Sequence, residues 1–408
     1  MRILLWHGYL LGGTGSNVYT RAVAREWSRA GHDVVVVSQE PQPEQYDLGG
    51  AQTVRPDIGG LLPVFVLDRY EGLEVKLLPE LTDEERDRFV AANAAALREL
   101  APADLVFANH VLLGGPVGTA SGLPFAVKAH GSELEYAMRG NADLSAWGRE
   151  SLRAAKAVFV GSEHIRHVLE EVVGHIDRVH EVPPGVDVEA FRPEPREQAL
   201  RELVAEARRD PPNPGNRSER LPDEGNAEHL AEFLAGVEPT VLYFGKLLRN
   251  KGVQLLLEAL RDVDSRAVVV GFGDYRAELE RMAGDSVLFT GPLDHRHLVH
   301  LIPLADVTVV PSIFPEAFGM VAAEAAAGGS LPLVARHSGL AEIAEALEDA
   351  GVPAGFQSGN VADLTAKLRG TLALPADERT RLAETARRVA EERWSWAHVA
   401  DRLLEPFT

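Results

Sequence analysis

Short, mostly apolar runs recur along this chain at Ile3 to Trp6, Val34 to Val37, Leu105 to Ala108, Phe125 to Lys128 and Val158 to Val160. Their length and β-branched content fit strands buried on both faces. Between most of them apolar residues return at helical spacing. One such stretch carries Val18, Ala22, Val23, Trp27 and Ala30 before Gly31 stops it. Strands that alternate with helices in this way predict parallel sheets with helices on both faces.

The pattern decays after Pro183-Pro184-Gly185. Residues 193–240 are rich in Pro, Glu, Arg and Asn and include Pro211-Pro212-Asn213-Pro214-Gly215-Asn216. They read as a linker with a disordered or surface insertion, flanked by short helices. The pattern then restarts with a strand at Val241 to Phe244, a loop at Gly245 to Gly252 and a helix at Val253 to Leu260. Further strands are expected at Ala267 to Val270, Val307 to Val310 and Leu331 to Ala335. The expected fold class is therefore α/β, with two Rossmann-like domains facing across a cleft and ligands at the carboxyl ends of the strands. Residues 1–188 would form the first domain, 189–240 the linker and insertion, and 241–389 the second domain. Thr380 to Phe407 reads as one terminal helix. It either caps its own domain or, from about residue 390, crosses back to the first.

A length of 408 residues suits this division. The 41 Lys and Arg against 61 Asp and Glu give a net charge of −20, which argues against nonspecific nucleic-acid binding and a polybasic membrane anchor. A local cationic pocket stays possible. Cysteine is absent, which excludes disulfides, thiolate nucleophiles, Cys-zinc sites and iron–sulfur clusters. No apolar run reaches the length of a spanning helix, and Met1 to His7 is too short for a signal segment, so the expected location is the cytoplasm.

Three segments could carry chemistry. In Pro311 to Glu324, Phe318, Gly319 and Met320 fall at a helix start after the strand Val307 to Val310. Their amides could bind phosphate there, and Glu316 and Glu324 could accept hydrogen bonds from hydroxyls flanking it. The same carboxylates could instead simply favour the positive end of the helix. In Tyr243 to Gly252, Lys246, Arg249 and Lys251 are cations close together in an acidic chain. They suit stabilisation of a diphosphate leaving group, or a solvated loop. Gly13 and Gly15 form a G-x-G pair, but Val18 stands where a dinucleotide fingerprint needs its third glycine, so a tight turn explains them equally well. His110 and His130 close strands and would face a ligand crevice, or serve the core. His295, His297 and His300 read as a polar helix face, and Asp262-Val263-Asp264 as a turn. No nucleophile elbow, Walker loop or zincin motif is present.

Taken together and in order, these segments resemble the GT-B-fold retaining glycosyltransferases of family 4 over nearly the whole chain. Gly12-Gly13-Thr14-Gly15 is similar to the family's first loop, and His130-Gly131 to its sugar-cleft histidine. Val182 to Asp187 resembles the interdomain motif, with Pro184 in place of Asn. Phe244-Gly245-Lys246 through Lys251-Gly252 resembles F-G-R-L-x-x-x-K-G, with Lys246 where Arg is usual. Val287 to Leu293, with Gly291 and Leu293, resembles the base-binding strand and loop. Glu316 and Glu324 match a Glu-x7-Glu signature.

The resemblance implies that Lys246 and Lys251 hold the donor diphosphate while the Phe318, Gly319 and Met320 amides cradle phosphate and sugar. Glu316 would bind sugar hydroxyls and Glu324 the ribose. His130 would lie beside the transferring sugar. The loop Gly13-Thr14-Gly15, with Gly245, would complete the donor site. Asn109, His110, Ser132 and Glu133 would face the acceptor, and 61–81, with Asp68 to Glu71, would supply a loop on that side. It implies a UDP- or GDP-linked sugar as co-substrate, an unidentified hydroxyl acceptor, and no metal or other cofactor. A non-catalytic nucleotide-sugar-binding subunit, an epimerase and a phosphorylase are the alternatives.

Overall fold

The computed structural model describes residues 1–13, 15–65 and 72–408. The chain divides into two compact units, one of Met1–Gly185 with Trp396–Thr408 and one of Val186–Ser395.

The first unit contains β1 (Arg2–Trp6), β2 (Asp33–Val37), β3 (Gln52–Val54), β4 (Leu61–Val64), β5 (Glu74–Leu77), β6 (Leu105–Asn109), β7 (Phe125–Lys128), β8 (Ala157–Val160) and β9 (Val179–Glu181). Seven of these form one parallel sheet in the order β3-β2-β1-β6-β7-β8-β9, while β4 and β5 pair separately. The runs are apolar throughout because each strand feeds two cores. Leu4, Trp6, Val35 and Val37 pack on one face, and Ile3, Leu5, Val34 and Val36 on the other. Each such side chain contributes about 1.5–3 kcal/mol by leaving water. Because β1, β6 and β7 are adjacent, the residues after their carboxyl ends, His7, His110 and His130, become neighbours.

The second unit contains β10 (Thr240–Phe244), β11 (Arg266–Val270), β12 (Val287–Phe289), β13 (Val307–Val310), β14 (Leu331–Arg336) and β15 (Gly355–Gln357). They form one parallel sheet ordered β12-β11-β10-β13-β14-β15. Here β10 and β13 are adjacent, so the loops carrying the cations and the first glutamate leave the sheet side by side. Two Rossmann-like sheets are thus present, and the last helix returns to the first unit, where Trp27 Nε1 donates to Ala400 O at 2.9 Å.

Three expectations need correction. Residues 189–240 are not a solvated insertion. Helices Arg196–Ala207 and Asn226–Phe233 bury Leu203, Val204, Leu230 and Leu234 in the second core, and Arg196 donates to the carbonyls of Leu234, Gly236 and Leu304. The segment's polar composition serves this stitching. The terminal helix is broken rather than continuous: Ala376–Val389 runs through a π-turn to Trp394, Ser395 is extended, and Trp396–Leu404 follows. Trp394 packs on Phe318 within the second unit, and Trp396 packs on Tyr19 within the first. The histidines at 295–300 are not a polar face either. His297 is fully buried beside Asp210 at 3.1 Å, and His300 Nδ1 lies 2.9 Å from Glu194. No helix among the described residues is long and apolar enough to cross a membrane.

Candidate functional site

The second unit joins two of the motif segments directly. Gly252 adopts φ +74°, and a Cβ there would lie 1.9 Å from the Pro311 carbonyl. Glycine is therefore what lets the loop after β10 lie flat against the loop after β13. Ile313 N–H donates to Asn250 O at 3.0 Å, and Lys251 Nζ lies 2.5 Å from Glu316 Oε1. Both side chains of this ion pair keep about a quarter of their exposure (25% and 24%), so the lysine can still reach a ligand. Glu316 is anchored through its backbone, its N–H donating to Ser338 Oγ at 2.9 Å and its carbonyl accepting from Gly339 N at 3.0 Å.

The helix Met320–Gly328 begins two residues after Phe318. Gly319 holds φ +119° at its start, where a Cβ would strike Leu340 at 2.5 Å. The amides of Phe318, Gly319 and Met320 have no carbonyl one turn back to bond, the usual condition of a helix start. Glu324 lies one turn into the helix. Burial, with no opposing cation, pushes its carboxyl up to about 8, so it is largely protonated at neutral pH. Lys246 is exposed, and its carbonyl accepts from the Tyr243 hydroxyl at 2.8 Å. Gly245 N–H closes onto Val270 O at 3.0 Å. Gly291 O accepts from Gly271 N at 2.9 Å, and the Leu293 side chain joins the core. Phe318 also turns its ring into the core, which leaves its amide as the part available to a ligand.

The first unit gathers a different chemistry. The His130 ring lies 4.8 Å from that of His110 and 5.0 Å from that of Tyr19, and His7 stacks 6.0 Å from His110. Glu133 is fully buried yet well satisfied: Oε1 accepts from His130 N at 3.0 Å and Val111 N at 3.3 Å, and Oε2 lies 3.3 Å from His110 Nδ1. These partners outweigh burial and hold its carboxyl below the usual range. His130 is held well below its ordinary value by burial first, then by His110, Lys128 and His7. Asn109 is fully buried behind His130, and Glu133 and His110 are buried as well, so of the four residues expected to face an acceptor only Ser132 keeps exposure. Ser132 is half-buried. Gly13 is exposed at φ +94° and Gly15 begins the helix Gly15–Arg29. Thr14 and, within the expected acceptor-side loop, Asp68 to Glu71 lie outside the described residues; on either side of that gap the segment 61–81 forms the strands β4 and β5 and a short turn at Leu78–Glu80.

Two members of this group carried no sequence assignment. His7 Nε2 bonds Asn17 Oδ1 at 2.7 Å, and Lys128 is buried with Nζ 2.7 Å from Val182 O. The signal was available, since His7 and Lys128, like His110 and His130, sit at strand carboxyl ends. Glu40, just past the end of β2, accepts from Leu11 N at 3.0 Å and Gln42 N at 3.2 Å. Among the described residues no group of three or more His, Asp and Glu is arranged to hold a metal ion.

Two family models match this chain: Glycosyltransferase Family 4 over residues 13–190 and Glycosyl transferases group 1 over residues 227–389. A D-inositol 3-phosphate glycosyltransferase from Xylanimonas cellulosilytica is 30% identical over 278 residues, covering 64% of this chain and 58% of that relative. One from Corynebacterium jeikeium is 28% identical over 419 residues, covering 95% and 90%. Among solved structures, Anabaena Alr3699/HepE in complex with UDP-glucose matches with a TM-score of 0.68 at 16% identity, covering 100% of this chain and 99% of that one.

Proposed function

This chain belongs to the GT-B-fold glycosyltransferases, and from that premise we propose that it moves a sugar from a UDP- or GDP-linked donor to a hydroxyl acceptor with retention at the anomeric carbon. The observation that carries the reading is the Lys251–Glu316 pair beside the start of the helix Met320–Gly328. It puts a cation, a carboxylate and free amides at one place, as a sugar diphosphate requires.

In this reading Lys251 exchanges part of its bond to Glu316 for the diphosphate, and Lys246 adds a second charge. The amides of Phe318, Gly319 and Met320 receive phosphate oxygens. Glu316, relieved of its lysine, accepts from sugar hydroxyls. Glu324 receives the ribose hydroxyls, and Gly245 with the loop around Gly291 borders the base. His130 contacts the transferring sugar, the Gly13–Gly15 loop the diphosphate, and Ser132 the acceptor. The anomeric C–O bond to the leaving phosphate breaks as the acceptor oxygen bonds to the same face. The acceptor's proton passes to the leaving phosphate oxygen, so no protein nucleophile is needed. The cations lower the barrier by stabilising the charge on that leaving group.

The UDP-glucose bound by the Anabaena protein supports a UDP-linked donor, and the names of the two relatives support a phosphorylated cyclitol as an acceptor worth testing. Thermal shift with UDP, GDP and ADP tests the donor site first. Saturation near 100 times Kd stabilises by about 2.7 kcal/mol. A shift with one nucleotide fixes the donor base, and no shift with any overturns the assignment. With that donor, an α-linked product from an α-linked sugar establishes retention, and a β-linked product refutes it.

A further inference from the structure

The polar groups behind His130 form a chain whose direction is fixed by carbonyls that can only accept. Thr20 Oγ1 donates to Ser16 O at 2.8 Å, so its oxygen is left to receive Asn109 Nδ2 at 3.2 Å. Asn109 Nδ2 also faces Trp6 O at 3.4 Å. Turning the amide over would set oxygen against oxygen at Trp6. Asn109 Oδ1 therefore faces His130 Nε2, 2.7 Å away, and the proton must sit on Nε2. A neutral imidazole with its proton there carries its lone pair on Nδ1.

We infer that Asn109 is a positioning residue that fixes the Nε2–H form of His130 and so presents Nδ1 as a hydrogen-bond acceptor to a hydroxyl of the donor sugar. The sugar contact rests on the function proposed above, whereas the direction of the relay stands on geometry alone. The consequence is selective. A hydroxyl can donate to Nδ1, but an ionised phosphate oxygen cannot, so this histidine recognises the sugar end of the donor and repels its diphosphate. The depressed basicity of His130 keeps that lone pair free of a proton.

The test uses the full chain labelled with nitrogen-15 histidine, the His130 signals being identified by their loss in His130→Gln. Long-range nitrogen–proton spectra should show the Nε2–H form in the wild type. Asn109→Leu should shift it to a mixture or to Nδ1–H. Asn109→Asp, which keeps an oxygen facing the ring, should retain Nε2–H. Calorimetry then compares UDP-glucose with UDP and GDP-mannose with GDP. Asn109→Leu and His130→Gln should each lower the affinity of the sugar nucleotide that binds by about three- to tenfold. The affinity for its nucleotide should not change, and the double variant should lose no more than either single one.

A wild-type His130 protonated on Nδ1 overturns the proposal without any variant, so it is decided even if Asn109→Leu fails to fold. A switched form in Asn109→Leu with an unchanged sugar-nucleotide affinity overturns the sugar contact. If no nucleotide binds at all, the proposed function fails and takes the sugar contact with it, and the spectra still judge the relay.

Discussion

The two units handle polar chemistry in opposite ways. In the second, Lys251 and Glu316 form an ion pair that keeps about a quarter of each side chain exposed. In the first, Asn109, Glu133 and His110 are buried, and the histidine edges are set by hydrogen bonds rather than by charge. A phosphate demands cations, and cations that must change partners have to stay near water. A hydroxyl demands direction, because it donates along one bond only. Direction is best held where water cannot compete. The chemistry of the ligand group thus decides whether the side chains that meet it are charged and open or oriented by buried partners.

The sharpest way to break that contrast is to remove its cation. Lys251→Ala should lower kcat by about 100- to 1000-fold, the range for losing one donor to a developing oxyanion. Its melting temperature should barely move, because a partly exposed ion pair contributes about 0–1 kcal/mol. Measured together, turnover and thermal unfolding separate the two effects. Near-normal turnover would remove Lys251 from the diphosphate, and a collapsed melting temperature would make the pair structural.

The same contrast explains what could be read from the chain. The meeting of Lys251 and Glu316 was legible because charged residues beside glycines at a strand-to-helix turn are a local pattern. Asn109 was placed on the wrong side of His130, since its three partners, on β1, the helix Gly15–Arg29 and the loop after β7, come from distant positions. In the fold, the central strands were legible because both faces are apolar. The edge strands Gln52–Val54 and Val179–Glu181 were not, because half-exposed edges need no apolar run. Short helices were expected within 189–240, but their packing into the second core was not, because their arginines and prolines resemble those of a solvated segment. In fact Arg196 donates to three carbonyls within the unit, and Glu206 and Asp210 hold Arg296.

A smaller effect is expected at Glu324. Its carboxyl, about 8 in the free protein, should fall when ribose hydroxyls donate to it. Nucleoside diphosphate binding at about pH 7 should then release part of a proton, read from calorimetry in buffers of different ionisation enthalpy. Glu324→Gln should abolish the release. An equal release in the variant would assign the proton elsewhere.

The smallest effect sets a half-buried carboxyl of the second unit against a buried lysine of the first. Glu324 binds its proton more tightly in the folded chain than in the unfolded one, rising from 4.5 to about 8. Its contribution is therefore intact at low pH and declines as pH rises through that window. Lys128 runs the other way. Burial lowers it from 10.5 to about 7, so the unfolded chain binds more protons between those values and stability rises with pH there. Glu324→Gln should accordingly melt higher than wild type by on the order of a few degrees at about pH 8, the difference closing toward about pH 5. Lys128→Met removes the opposite slope but also leaves Val182 O without its donor. Its melting temperature relative to wild type should therefore be best near about pH 7 and fall as pH rises toward about 9. Parallel pH trends in the two variants would mean that these groups do not titrate as their surroundings dictate. Opposed trends would show that Glu324 and Lys128 impose opposite pH dependences on the two units.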